Sequence, residues 1–223
     1  MMRFAIRFIF LVSLHGAGAA FAQTSTAHLM EIPDTAWVNV DFGDDLSTTD
    51  GGLQILAQNA GDNTPSAMAV GRHRYGIGAA GAQASAPAIK AETGFDPVLN
   101  RSEKIIVSFE HDVVSARLDL SCFYRNEAEL AGVSYHEHGG WRAYRGDILI
   151  GQGSFLPDSP DGAYRLVIAA RVPFDRLELF ATPYVTESGA EIEPGLITTD
   201  SSDFLIKRIA YQPAGETHIS TLH

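Results

Sequence analysis

The chain holds a single cysteine, Cys122, among its 223 residues. That excludes an internal disulfide framework and cysteine-based zinc clusters, so packing has to hold the fold together. Basic side chains are also few, 16 against 27 acidic ones, and this balance argues against nucleic acid or an anionic membrane surface as a partner. The longest apolar stretch near the start, Phe8 to Leu14, is too short to span a bilayer. Missing as well is any run of about ten residues with apolar positions at the three-and-four spacing of a surface helix.

Alternating segments bounded by turn residues take the helix's place. Residues 1–22 read as an export signal: Arg3 and Arg7 form the positive start, Phe8 to Leu14 the apolar stretch, and Ala20-Phe21-Ala22 the small-x-small cleavage site. The signal predicts a secreted or periplasmic protein with no membrane insertion after cleavage. Losing Arg3 and Arg7 leaves 14 basic against 27 acidic side chains. Residues 23–211 form one domain, and 212–223 a polar, flexible tail. Ile105, Val107 and Phe109 share one face of a strand; Val114, Ala116, Leu118, Leu120 and Cys122 share one face of the next, with Glu110-His111-Asp112 as the turn between them. Further strands are expected at 133–138, 141–145, 148–155, 163–170, 176–181 and 204–211. Gly139-Gly140, Gly146-Asp147, residues 157–162 and Pro173 separate them. Residues 37–42 and 53–57 supply the opening strands, and the Gly/Ala-rich segment 71–91 reads either as an irregular ordered loop whose small residues let backbone approach backbone or a ligand, or as a flexible linker. Many short strands with frequent turns predict an all-β antiparallel β-sandwich of jelly-roll type.

From about Gly76 to Tyr211 the order of features resembles carbohydrate-binding-module-like β-sandwich domains of bacterial secreted and surface proteins. The residues that carry it are Gly76-Ile77-Gly78, Ser102-Glu103 before the strand at 105–109, Trp141-Arg142-Ala143-Tyr144 followed by Gly146, Phe174 to Ala181, and Ser202-Asp203-Phe204. The resemblance implies a jelly-roll fold outside the cytoplasm; it transfers no binding residue.

Three constellations bear chemistry. Asp41, Asp44, Asp45 and Asp50 lie beside Gly43 and Gly51-Gly52, and hard oxygens on a turning backbone suit a structural calcium; Asp203 joins them if the first and last strands pair. The competing reading is acidic, solvated surface. His136 and His138 stand two apart on a strand, either as transition-metal ligands or as polar edge residues. Trp141, Tyr144 and Tyr135 are the aromatics of one hairpin, where a flat ring beside carboxylates can stack on a sugar. Trp141 and Tyr144 differ by an odd number and so face opposite sides, Trp141 toward the core and Tyr144 outward. Ser154 lacks the Gly-x-Ser-x-Gly turn of a nucleophile, and no carboxylate pair is singled out, so a non-enzyme is expected. The leading function is a carbohydrate-binding or lectin-like module with a glycan or other cell-surface component as partner. The alternative is a structural, adhesive surface component with no small ligand.

Overall fold

The computed structural model describes residues 37–42, 52–80, 91–193, 196–197 and 201–215. Residues 1–22, where an export signal is expected, lie outside them. The strands are β1 (Val38–Asp41), β2 (Leu53–Gln58), β3 (Val70–His73), β4 (Gly76–Ala79), β5 (Thr93–Asp96), β6 (Arg101–Ser102), β7 (Lys104–Ser121), β8 (Ala128–Leu130), β9 (Val133–Arg145), β10 (Ile148–Phe155), β11 (Tyr164–Val185) and β12 (Asp203–Pro213), with one short 3-10 turn at Ala67–Ala69. The protein is all-β, and every pairing between strands is antiparallel.

Two long strands, β7 with 18 residues and β11 with 22, give the molecule its sandwich-like form, because each takes part in two layers. In the first layer the order is β10, β9, the C-terminal half of β11, the N-terminal half of β7, and β2. In the second, the N-terminal half of β11 pairs with the C-terminal half of β7, then β12, which β5, β4 and β1 flank in succession along its far side. The register shows where the crossing occurs. Ser108 faces Arg176, Val113 faces Phe174, and Ser115 faces Ala169. Residues 109–112 of β7 and then 170–173 of β11 are thus the surplus of two reciprocal bulges, which bend the paired strands from one layer into the other.

Sequence-level turn signals are therefore bulges here. Glu110-His111-Asp112 does not reverse the chain, and Pro173, which cannot donate to a ladder, is absorbed where the ladder is already broken. The bulge also shifts the inward phase, so Val113 rather than Val114 is fully buried ahead of Ala116, Leu118 and Leu120. Gly139-Gly140 likewise lies inside β9. A side-chain carbon at Gly139 would overlap the ring of Phe155, and one at Gly140 the ring of Phe180, so these glycines mark aromatic rings laid across the strand. Gly146-Asp147 does form a two-residue hairpin turn, Arg145 facing Ile148 and Gly146 at φ 56°.

The layers meet in one core. Phe155, at the end of β10, touches Phe204 of β12 and Tyr164 of β11, both in the opposite layer, with centroids 5.7 and 6.0 Å away, and Phe123 sits among all three. Phe109 meets Phe174 and Tyr211 edge-on near the bend. Within the Gly/Ala-rich segment, β3 and β4 pair as a hairpin instead of an irregular loop, and residues 81–90 lie outside the described set. A side chain at Gly78 would overlap the Ala91 carbonyl, so here the small residue does let backbone approach backbone. The chain also stays in β12 through Pro213, opposite Val113, one step past the expected start of the tail.

Candidate functional site

Registers across the first layer build its outer face as three rows. Ser154, Gly140, Phe180, Lys104 and Gln58 lie side by side; next come Gln152, Arg142, Glu178, Ile106 and Leu56; then Leu149, Tyr144, Arg176, Ser108 and Gln54. Strand alternation puts Trp141, Ala143, Leu177 and Leu179 on the other side, in or against the core. Trp141 and Tyr144 thus do fall on opposite faces. The Trp141 indole covers Gly153 and Gly151 of β10, and Tyr144 is half-buried on the outer face.

Cations dress the two outward rings. The Arg176 guanidinium lies 4.5 Å from the Tyr144 ring centre, and that of Arg142 lies 4.9 Å from Phe180. Glu178 stands between them, 4.0 Å from an Arg142 nitrogen, and its Oε2 accepts from the Tyr144 hydroxyl at 3.4 Å. Beside Phe180 the face drops into a groove of about 410 Å³. It is lined by Gln58, Asn59, Asp62 and Asn63 from the end of β2 and the loop after it, by Arg101, Ser102 and Lys104, and by Arg142 and Phe180. Asn59 Nδ2 donates to Asp62 at 2.9 Å, and its buried Oδ1 meets no donor among the described residues.

The structure does not gather the three aromatics of the sequence reading. Tyr135 faces Ala128 at the β8–β9 hairpin, nine residues from Tyr144 and so about 30 Å along the strand. Phe180, Arg142 and Glu178 take its place beside Tyr144. Phe180 was legible in principle, as an aromatic on the even, outward phase of a strand whose odd positions Leu177, Leu179 and Ala181 are apolar.

The acidic constellation also divides. β1 does pair with β12, but Asp41 faces Arg208 and forms an ion pair with it. Asp203 lies five residues farther along β12, roughly 15 Å away, so these two do not share a coordination shell. Asp44, Asp45 and Asp50 lie outside the described residues. Among the described residues no group of three His, Cys, Asp or Glu is placed to hold a metal.

Asp203 instead borders a buried polar cluster. The Glu137 carboxylate accepts from the backbone N–H groups of Asp203, at 3.1 Å, and Tyr124. Burial, then the charge of Asp203, hold its carboxyl well above the usual range. Burial and the neighbouring Glu92 push the Cys122 thiol up to about 12. Nearby, buried Glu103 accepts from the Gly94 N–H at 3.0 Å, and desolvation lifts it to about 7. The two histidines have separate tasks. His136 Nδ1 accepts from the Asn126 N–H at 3.1 Å, which leaves Nε2 to donate to Glu187 at 3.0 Å; His138 pairs with the Thr182 hydroxyl at 2.6 Å.

Compared with protein-family models and with curated proteins, the chain matches none.

Proposed function

We propose that the chain is an exported, lectin-like carbohydrate-binding module of the β-sandwich type its sequence resembles, and that the outer face of the first layer is its binding surface. The observation that carries this is the outer face itself. Tyr144 and Phe180 stand there beside Glu178, Arg142 and the amides of Gln54, Gln58 and Gln152, the mixture of ring faces and hydrogen-bonding groups that a sugar requires. Probing a glycan array with the full chain tests it. At least one glycan binds, and Tyr144→Ala weakens that binding by about tenfold or more, as expected for a lost aromatic anchor worth roughly 1–3 kcal/mol. Tyr135→Ala, at the far end of β9, leaves it unchanged. Absence of binding to any glycan at high micromolar concentration overturns the proposal, and loss through Tyr135 instead of Tyr144 moves the site.

A second reading, an adhesive structural component, has its own support. Among the described residues β10 pairs only with β9, which leaves its other edge without a strand, and Ile148 and Leu149 on it are 70% and 46% exposed. An unprotected edge strand invites pairing with another chain. Light scattering that shows concentration-dependent assembly, lost on Leu149→Lys, favours it.

A further inference from the structure

We infer that the groove beside Phe180 binds an acidic polysaccharide, taking its carboxylate or sulfate group on Arg101, Lys104 and Arg142; the inference rests on the carbohydrate-binding reading and adds the charge class of the ligand. The protein as a whole is acidic, 27 carboxylate side chains against 16 basic ones, so a local excess of cations runs against the background. Three cations line this groove against one carboxylate, Asp62. Among the described residues Arg101 and Lys104 have no acidic partner, and Arg142 has only the 4.0 Å contact with Glu178.

A second groove, about 460 Å³ on the second layer, provides the contrast. Its Arg165 is paired with Asp119 at 2.7 Å and its Arg208 with Asp41. There two of the three cations are paired within the protein, Lys207 has no ion pair among the described residues, and Asp119 and Asp158 line the same groove; beside Phe180 two of three cations, Arg101 and Lys104, have none and one carboxylate faces them. Guanidinium groups grip planar oxyanions through two parallel N–H donors. Around these cations stand the groups that read sugar hydroxyls. The Gln58 and Asn63 amides line the same groove, the Gln58 Nε2 also donating to the Asp62 carbonyl at 2.8 Å. The arginines lying over Phe180 and Tyr144 add cations to the same face, each with one carboxylate within 4.0 Å, Glu178 for Arg142 and Asp147 for Arg176.

Isothermal titration of the full chain with polygalacturonate and dextran sulfate, each beside its neutral counterpart, methyl-esterified polygalacturonate and dextran, tests the inference. At least one acidic polymer binds tenfold or more tightly than its neutral counterpart; which one does so says whether the site takes carboxylate or sulfate. Its affinity falls as salt is raised, and Arg101→Gln with Lys104→Gln lowers it about tenfold while the thermal midpoint stays put, since neither side chain holds another in place. Inorganic sulfate alone competes only weakly. Equal affinity for the neutral polymers overturns the charge class but leaves the lectin reading standing; so does binding that the Arg101/Lys104 variant retains in full. Failure of every polymer, together with a blank glycan array, overturns both.

Discussion

At Glu103 and Glu137 the same residue type is buried in two different ways, and the difference predicts opposite responses to the same substitution. Glu103 holds its proton up to about pH 7 in the fold, against an ordinary value of 4.5. Between those values only the folded chain carries the proton, so stability is full below about 4.5, declines as pH rises through the interval, and levels off above 7; the ceiling is about 3 kcal/mol. Glu103→Gln keeps an oxygen for the Gly94 N–H and removes the ionisation. Chemical denaturation should find the variant about 2–3 kcal/mol more stable than the parent at pH 8 and equal to it at pH 4.5. Glu137 uses both carboxylate oxygens, each on a backbone N–H. Glu137→Gln turns one acceptor into a donor facing a donor and should cost about 1–3 kcal/mol even at neutral pH. Equal and stabilising effects at both sites would refute this division. Cys122 is buried, with its thiol pushed up to about 12, so a thiol reagent at pH 8 should label the protein only after denaturant unfolds it; rapid labelling of the native chain would show that the site opens.

Strand β9 shows how an element can conceal its nature. Its sequence reads as two short strands with a glycine turn because Gly139-Gly140 is a common reversal signal, yet the chain runs straight through. Those positions are small because the rings of Phe155 and Phe180 cross them from opposite faces. Gly139→Ala should therefore destabilise the protein by about 1–3 kcal/mol through overpacking. In a Phe155→Ala background the same change should cost far less, since the ring it strikes is gone. If the two effects simply add, the ring is not what keeps position 139 small. The Gly146-Asp147 turn was legible because a two-residue hairpin turn is a local structure with a local chemistry. The bulges at 109–112 and 170–173 were not, since a bulge is defined by a partner strand more than 50 residues away in sequence and takes the same polar and proline residues that a turn would.

For the molecule as a whole, the two layers are bound by aromatics that belong to distant segments. Phe123, Phe155 and Phe204 meet within 5.3–6.1 Å, and Phe123 and Phe204 are fully buried. Phe204→Ala should cost about 3–5 kcal/mol and lower the thermal midpoint in a single transition. A separate early transition of one layer would mean that each layer has a core of its own. Loss of Tyr144, which lies on the outer face, should leave that midpoint nearly unchanged, so stability and ligand binding are separable by layer face.

The all-β character, the positions of most strands, the inward residues of the regular stretches and the opposed faces of Trp141 and Tyr144 were determined by the sequence alone, because two-residue alternation and turn chemistry are local. Whether an interruption is a turn or a bulge, that Tyr135 stands far from Tyr144, that Asp41 is held by Arg208, and that Phe180, Arg142, Lys104 and Arg101 converge on one groove were decided only in three dimensions. Each depends on which strands pair and in what register. Register is set by the joint burial of two faces, a property no single segment carries.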